Sequence, residues 1–174
     1  MTGIARQMSD AGIHIILTGG TINKVYNPLT EKPEIAGADI VPDYLRKTVQ
    51  PHGTLTFETV CLKDSLELTA EDRMRLTDAV LKSDTDRIVI IHGTSTMPVT
   101  AAYLASHGAG VKKCVILTGA MIPLKEFAMS DAGFNLGYAL AQVQTQGHGV
   151  YLCMNARIFV AGTVKKNTET GRFE

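Results

Sequence analysis

What most constrains this chain is a set of short, unbroken apolar runs: "IHIIL" (Ile13–Leu17), "RIVIIH" (Arg87–His92), "CVILT" (Cys114–Thr118) and "VYLCM" (Val150–Met154). A strand with one wet face alternates apolar and polar residues, whereas a strand covered on both faces does not need to, as in a parallel sheet between two layers of helix. "LTFETVCL" (Leu55–Leu62) alternates more loosely and reads as a further strand. Helical patterns separate these runs. Thr69 opens "TAEDRMRLTDAVLKS" with Asp72 three residues on, a capping-box start. "MPVTAAYLASHG" has Pro98 near its first turn and Gly108 at its stop, with Thr94 or Ser95 as the helix cap. "SDAGFNLGYALAQVQTQG" starts at Ser130 or Asp131 and ends near Gly147, and "DIVPDYLRKTV" is a shorter candidate. Strand and helix in alternation predict a three-layer α/β/α fold with a mainly parallel sheet, as one domain over residues 1–174. Residues 24–39 form the longest stretch without a regular pattern, the kind of segment that serves as a lid or binding loop.

Three strands end alike: Thr18-Gly19-Gly20-Thr21, His92-Gly93-Thr94-Ser95-Thr96 and Thr118-Gly119-Ala120. Ligands of parallel α/β sheets bind beyond the carboxyl ends of the strands. If the first two of these strands are neighbours, Thr21 and the Thr94–Thr96 hydroxyls face one crevice, and the glycines admit a ligand close to the backbone.

Several chemistries are excluded. Lys+Arg and Asp+Glu are equal at 17, so the formal net charge is zero and the basic surplus of a nucleic-acid binder is missing. There is no G-x-x-x-x-G-K-[ST], no H-E-x-x-H, no Cys/His cluster and no G-x-S-x-G, which leaves no cofactor or metal to expect. The apolar runs are far shorter than a membrane span, and the first residues lack the pattern of a secretory leader. Three cysteines, Cys61, Cys114 and Cys153, sit in apolar runs without C-x-x-C spacing, which favours free thiols in the cytoplasm. A hydroxyl-rich, glycine-lined crevice remains. A threonine there becomes a nucleophile only if another group takes its proton and a third stabilises the oxyanion, and Tyr26 or a buried lysine are the candidate acceptors.

"TGGTI", "HGTSTM", "LTGAM" and "SDAGFNL", in this order, resemble the amino-terminal domain of the bacterial-type L-asparaginases. The resemblance implies a flavodoxin/Rossmann-like sheet and a cofactor-free amidohydrolase of asparagine, with a glutaminase, a relaxed small-amide amidase or a non-catalytic binding module as alternatives. It implies Thr21 as nucleophile, Tyr26 as the tyrosine of the active-site loop, and Ser65 as the holder of the substrate carboxylate. Thr94 is implied to pair with a lysine, matched to Lys165 in "TVKKNT". Gly20, Gly93, Glu67 and Ser95 complete the expected substrate site. Two positions depart from the pattern: Ser95 stands where the family has an ammonium-binding aspartate, and Leu66 where some members have a polar side chain. The family's smaller carboxy-terminal domain has no counterpart in these residues, and the resemblance implies a homo-oligomer.

Overall fold

The computed structural model describes residues 12–125 and 128–174. The opening segment read above for a leader lies outside the described residues. Six strands form the central sheet: β1 (Ile13–Gly19), β4 (Leu55–Lys63), β5 (Arg87–Ile91), β6 (Cys114–Thr118), β7 (Gly149–Met154) and β8 (Arg157–Val160). Their spatial order is β4-β1-β5-β6-β7-β8, parallel throughout except for β8, which pairs antiparallel with β7.

The unbroken apolar strands do what their composition requires, because successive side chains go to opposite faces and both faces are covered. Ile16, Ile88, Ile90, Val115 and Leu117 pack on one side with Leu76 and Val80 of α2 (Ala70–Lys82) and Ala101 and Leu104 of α3 (Met97–Ser106). Ile15, Leu17, Val89, Ile91 and Ile116 pack on the other side with Leu136 and Ala139 of α4 (Ala132–Gln142) and with Val41 and Leu45. The last two belong to a short helix, α1 (Val41–Asp43), that runs on as a wider π-type turn, Tyr44–Val49. Each fully buried Ile, Leu or Val side chain among these contributes about 1.5–3 kcal/mol.

The Thr69 cap is as expected: its hydroxyl accepts from the Asp72 N–H while the Asp72 carboxylate accepts from the Thr69 N–H. The cap of α3 is not. Thr96, rather than Thr94 or Ser95, occupies it, and its hydroxyl donates to the Ser65 carbonyl at 2.7 Å instead of serving its own helix. The patternless stretch also holds regular structure. Strands β2 (Lys24–Asn27) and β3 (Lys32–Ile35) pair as an antiparallel hairpin outside the main sheet. Pro33 and the polar composition hid it, since proline is tolerated only where a strand needs no donor.

With the hairpin set aside, the parallel strands read 2-1-3-4-5. The chain steps from β1 to one side at β4, then returns across β1 to β5. In such sheets the crevice at the reversal, here beyond the ends of β1 and β5, is where ligands sit.

Candidate active site

The chain leaves β1 through Gly19 and Gly20 and turns at once into a 3-10 turn, Thr21–Asn23. Gly20 has φ 79° and ψ −178°, a conformation open in practice to glycine alone. A Cβ there would lie 2.5 Å from Gly93 Cα and N. Gly93 is equally confined: its Cβ would lie 2.7 Å from Ser65 Cβ and 2.8 Å from Ser65 Oγ. Three chain segments thus meet with only the Ser65 side chain between them: the turn after β1, the turn after β5, and the 3-10 turn Ser65–Glu67 after β4. The two strands whose adjacency was needed for one crevice are paired in register, His14 with Ile88 through Leu17 with Ile91.

Thr94 and Ser65 are buried at this junction, and Thr21 is half-buried. Ser65 is held by α3: its carbonyl accepts from Thr96 Oγ1, and its hydroxyl accepts from the Thr96 N–H at 3.4 Å. Thr94 Oγ1 accepts a hydrogen bond from Lys166 Nζ at 2.9 Å and faces Met121 Sδ at 3.6 Å. This corrects the sequence reading. Lys165, the expected partner, is exposed and pairs through its backbone with Glu174, while Lys166 turns inward beside buried Val164. An extended segment sends alternate side chains to opposite sides, so Val164 and Lys166 share the inner one. An isolated bridge of Lys166 to Phe173, itself buried, fixes that register.

Tyr26 is exposed on β2, and Glu67 and Ser95 are exposed at the rim. His92 is fully buried; its Nδ1 lies 2.7 Å from the Gly93 carbonyl, so Nδ1 carries the proton and donates. Burial pushes its pKa down to about 4, which keeps the ring neutral and suits a fixed support for the Gly93-Thr94 turn rather than a base. Asn135 donates from Nδ2 to the Gly119 carbonyl, and Asp131 accepts from the N–H groups of Met121 and Ile122. These two residues brace the turn after β6, which brings Met121 to Thr94.

A cleft of about 780 Å³ lined by His14, Glu58, Arg75 and Ser83 lies at the amino ends of the strands, and a groove of about 560 Å³ runs along Ala36–Ile40 and Tyr44. Neither is lined by Thr21 or Thr94. Among the described residues no group of His, Cys, Asp and Glu is arranged to hold a metal ion, and no helix is long and apolar enough to cross a membrane. What the junction offers is a small hydroxyl on a tight turn, a second hydroxyl held by Lys166 Nζ, and a buried serine packed against Gly93.

Comparison with known proteins agrees with this architecture. Residues 12–173 match the family model described as asparaginase, N-terminal. L-asparaginase 1 of Escherichia coli (strain K12) is 34% identical over 140 residues, 76% of this chain and 40% of that protein. The glutaminase-asparaginase of Acinetobacter glutaminasificans is 30% identical over 166 residues, 87% of this chain and 48% of its own. The crystal structure of L-asparaginase I from Vibrio cholerae superposes with a TM-score of 0.80 at 28% identity, over 94% of this chain and 51% of that one. The chain thus spans about half the length, or less, of the relatives it matches. With that match running through every strand and turn just described, the chain belongs to the asparaginase amino-terminal domain family.

Proposed function

We propose that this domain hydrolyses the side-chain amide of L-asparagine to L-aspartate and ammonia, through an acyl-enzyme on Thr21. The observation that carries the reading is the packing of Gly20 on Gly93 and of Gly93 on Ser65 at the β1/β5 crevice, with Thr94 Oγ1 held there by Lys166. In the proposed first step Thr21 Oγ1 bonds to the amide carbon. Its proton passes to Tyr26 or, through Thr94, to Lys166 Nζ acting as the amine, and the C–N bond breaks as the nitrogen takes that proton up and departs as ammonia. In the second step water attacks the ester carbon and the proton returns to Thr21. The developing oxyanion would be met by backbone N–H groups near Thr21 or Thr94, at the start of the Thr21–Asn23 turn and on the segment leading into α3. Ser65 would bind the substrate carboxylate, with Glu67 and Ser95 at the ammonium end. No cofactor enters this scheme.

A glutaminase or broader small-amide amidase is the second reading. It is supported by the name of the Acinetobacter relative and by Ser95, a neutral residue at the rim where an ammonium would be greeted. Assembly into a homo-oligomer rests on the family resemblance alone. A cytoplasmic setting is supported by burial of the Cys114 and Cys153 thiols and by a structural relative described as a probable cytoplasmic L-asparaginase from Campylobacter jejuni, although another relative is described as periplasmic.

Ammonia release from L-asparagine, L-glutamine and their D-isomers, by wild type and Thr21→Ala, tests these readings. Turnover of L-asparagine abolished by the substitution supports the first, and preferential turnover of another amide supports the second. Thermal stabilisation by aspartate without turnover of any amide would reduce the domain to a binding module.

A further inference from the structure

Lys24 joins more parts of the crevice than any motif in the sequence suggests. Its backbone N–H donates to the Thr21 carbonyl and closes the nucleophile turn. It is also the first residue of β2, so it begins the hairpin. Its side chain crosses to the third segment of the junction, where Nζ donates to Asp64 Oδ2 at 2.9 Å. Asp64 immediately precedes Ser65 and caps the Ser65–Glu67 turn, its Oδ1 accepting from the Leu66 N–H at 3.2 Å. The same two segments are tied a second time, where the Gly20 N–H donates to the Lys63 carbonyl at 2.9 Å.

The pair is not an ordinary surface contact. Its side chains are 23% and 32% exposed, against 73% and 64% for Lys47 and Asp43, so it is less screened by water. The Lys24 ammonium holds the Asp64 carboxyl below the usual carboxylate range. The neighbouring ion pair, Lys63 with Asp72, fastens the end of β4 to α2 and does not touch the Thr21 turn.

We propose that Lys24 is a positioning residue: through Asp64 it sets the spacing between the Thr21 hydroxyl and the Ser65 turn, and with it the fit of a substrate that carries its amide at one end and its carboxylate at the other. This rests on the asparaginase reading above. A ligand that must reach both turns senses the spacing when it binds. Chemistry at Thr21, once the ligand is seated, senses it less.

The test compares Lys24→Met, Lys24→Arg and Asp64→Asn with wild type in steady-state ammonia release from L-asparagine, alongside hydrogen–deuterium exchange of the unliganded protein. Lys24→Met and Asp64→Asn are expected to raise KM roughly tenfold with kcat within about twofold, and Lys24→Arg to restore most of the loss, a size typical of coupled neighbours. Amide exchange in Lys24→Met is expected to quicken together in residues 24–27 and 64–67. A KM within twofold of wild type, a loss confined to kcat, or failure of the arginine to rescue overturns the proposal. So does faster exchange in the hairpin with none in the Ser65 turn. If wild type hydrolyses no amide, the asparaginase reading fails on its own, and the exchange data still decide whether Lys24 couples the two turns.

Discussion

Lys166 Nζ lies 2.9 Å from Thr94 Oγ1, seventy-two positions away along the chain, while its neighbour Lys165 pairs by backbone with Glu174 and faces outward. Two adjacent lysines therefore carry separable roles. Replacing Lys166 removes the one donor to that hydroxyl among the described residues, and with it one of the two proton routes of the proposed reaction. Lys166→Met is expected to lower kcat about 10²–10³-fold, within the usual range for general acid–base partners. Lys165→Met should stay within about twofold of wild type. Initial-rate ammonia release on the two variants, with circular dichroism to show that both fold, decides between them.

Gly20 is held by two independent constraints, its backbone angles and its contact with Gly93. Gly20→Ala must abandon φ 79° with ψ −178°, or place a methyl group 2.5 Å from the Gly93 backbone. Strain of that kind costs about 1–3 kcal/mol and overpacking a similar amount. The expected result is a Tm lower by roughly 5–15 °C and loss of amide turnover, since the turns carrying Thr21 and Thr94 must move apart. Differential scanning fluorimetry and ammonia release measure the two effects separately. A variant with unchanged Tm would show that the contact is not tight.

A surface turn offers the opposite sign. Strands β7 and β8 are joined by Asn155 and Ala156, both left-handed, with φ 53° and 61°. That is the geometry of a two-residue hairpin turn which favours glycine at its second position. Ala156 is exposed, so replacing it removes little packing. Ala156→Gly is expected to stabilise the fold by about 0.5–1 kcal/mol, the relief of left-handed strain exceeding the added freedom of the unfolded chain. Denaturant unfolding that gave a lower midpoint would contradict this.

The same turn explains what the sequence leaves illegible. An Asn-Ala pair does not announce a hairpin, so Arg157–Val160 passes for loop, just as Pro33 conceals β3. The buried strands are legible because solvent exclusion on two faces demands uninterrupted apolar residues such as Ile88–Ile91. The Thr69–Asp72 cap is legible because both partners lie within one turn. Strand order is not legible, since pairing of β1 with β5 joins residues far apart in sequence. The repeated Gly-Thr strand ends point to the crevice without family knowledge. Choosing between Lys165 and Lys166 needs the register of the last segment, which is set by burial of Phe173. Lys24 carries no motif, and only the fold brings it to Asp64.

Asp72 gives the fold a dependence on pH whose sign can be worked out. Its carboxylate accepts from Lys63 Nζ at 2.7 Å and from the backbone and hydroxyl of Thr69, while its side chain is only 4% exposed. The Lys63 hydrogen bond comes first among the causes that draw its pKa down from 3.8 to about 2, against an opposing push from burial. A carboxyl with a lower pKa in the folded state binds protons more readily when unfolded. Its stabilisation is therefore complete above about pH 4 and is lost as the pH falls from there to about 2. Asp72→Asn keeps the shape and deletes the charge, leaving Lys63 without its partner. Because Lys63 keeps 38% exposure and can turn to water, the loss at pH 7 is expected to be about 1–3 kcal/mol rather than that of a fully buried pair. Denaturant titrations of both proteins at pH 7 and at steps between pH 4.5 and pH 2.5 should show the wild-type curve descending toward that of the variant. A constant gap between the two curves across that range would mean that another group sets the acid limb.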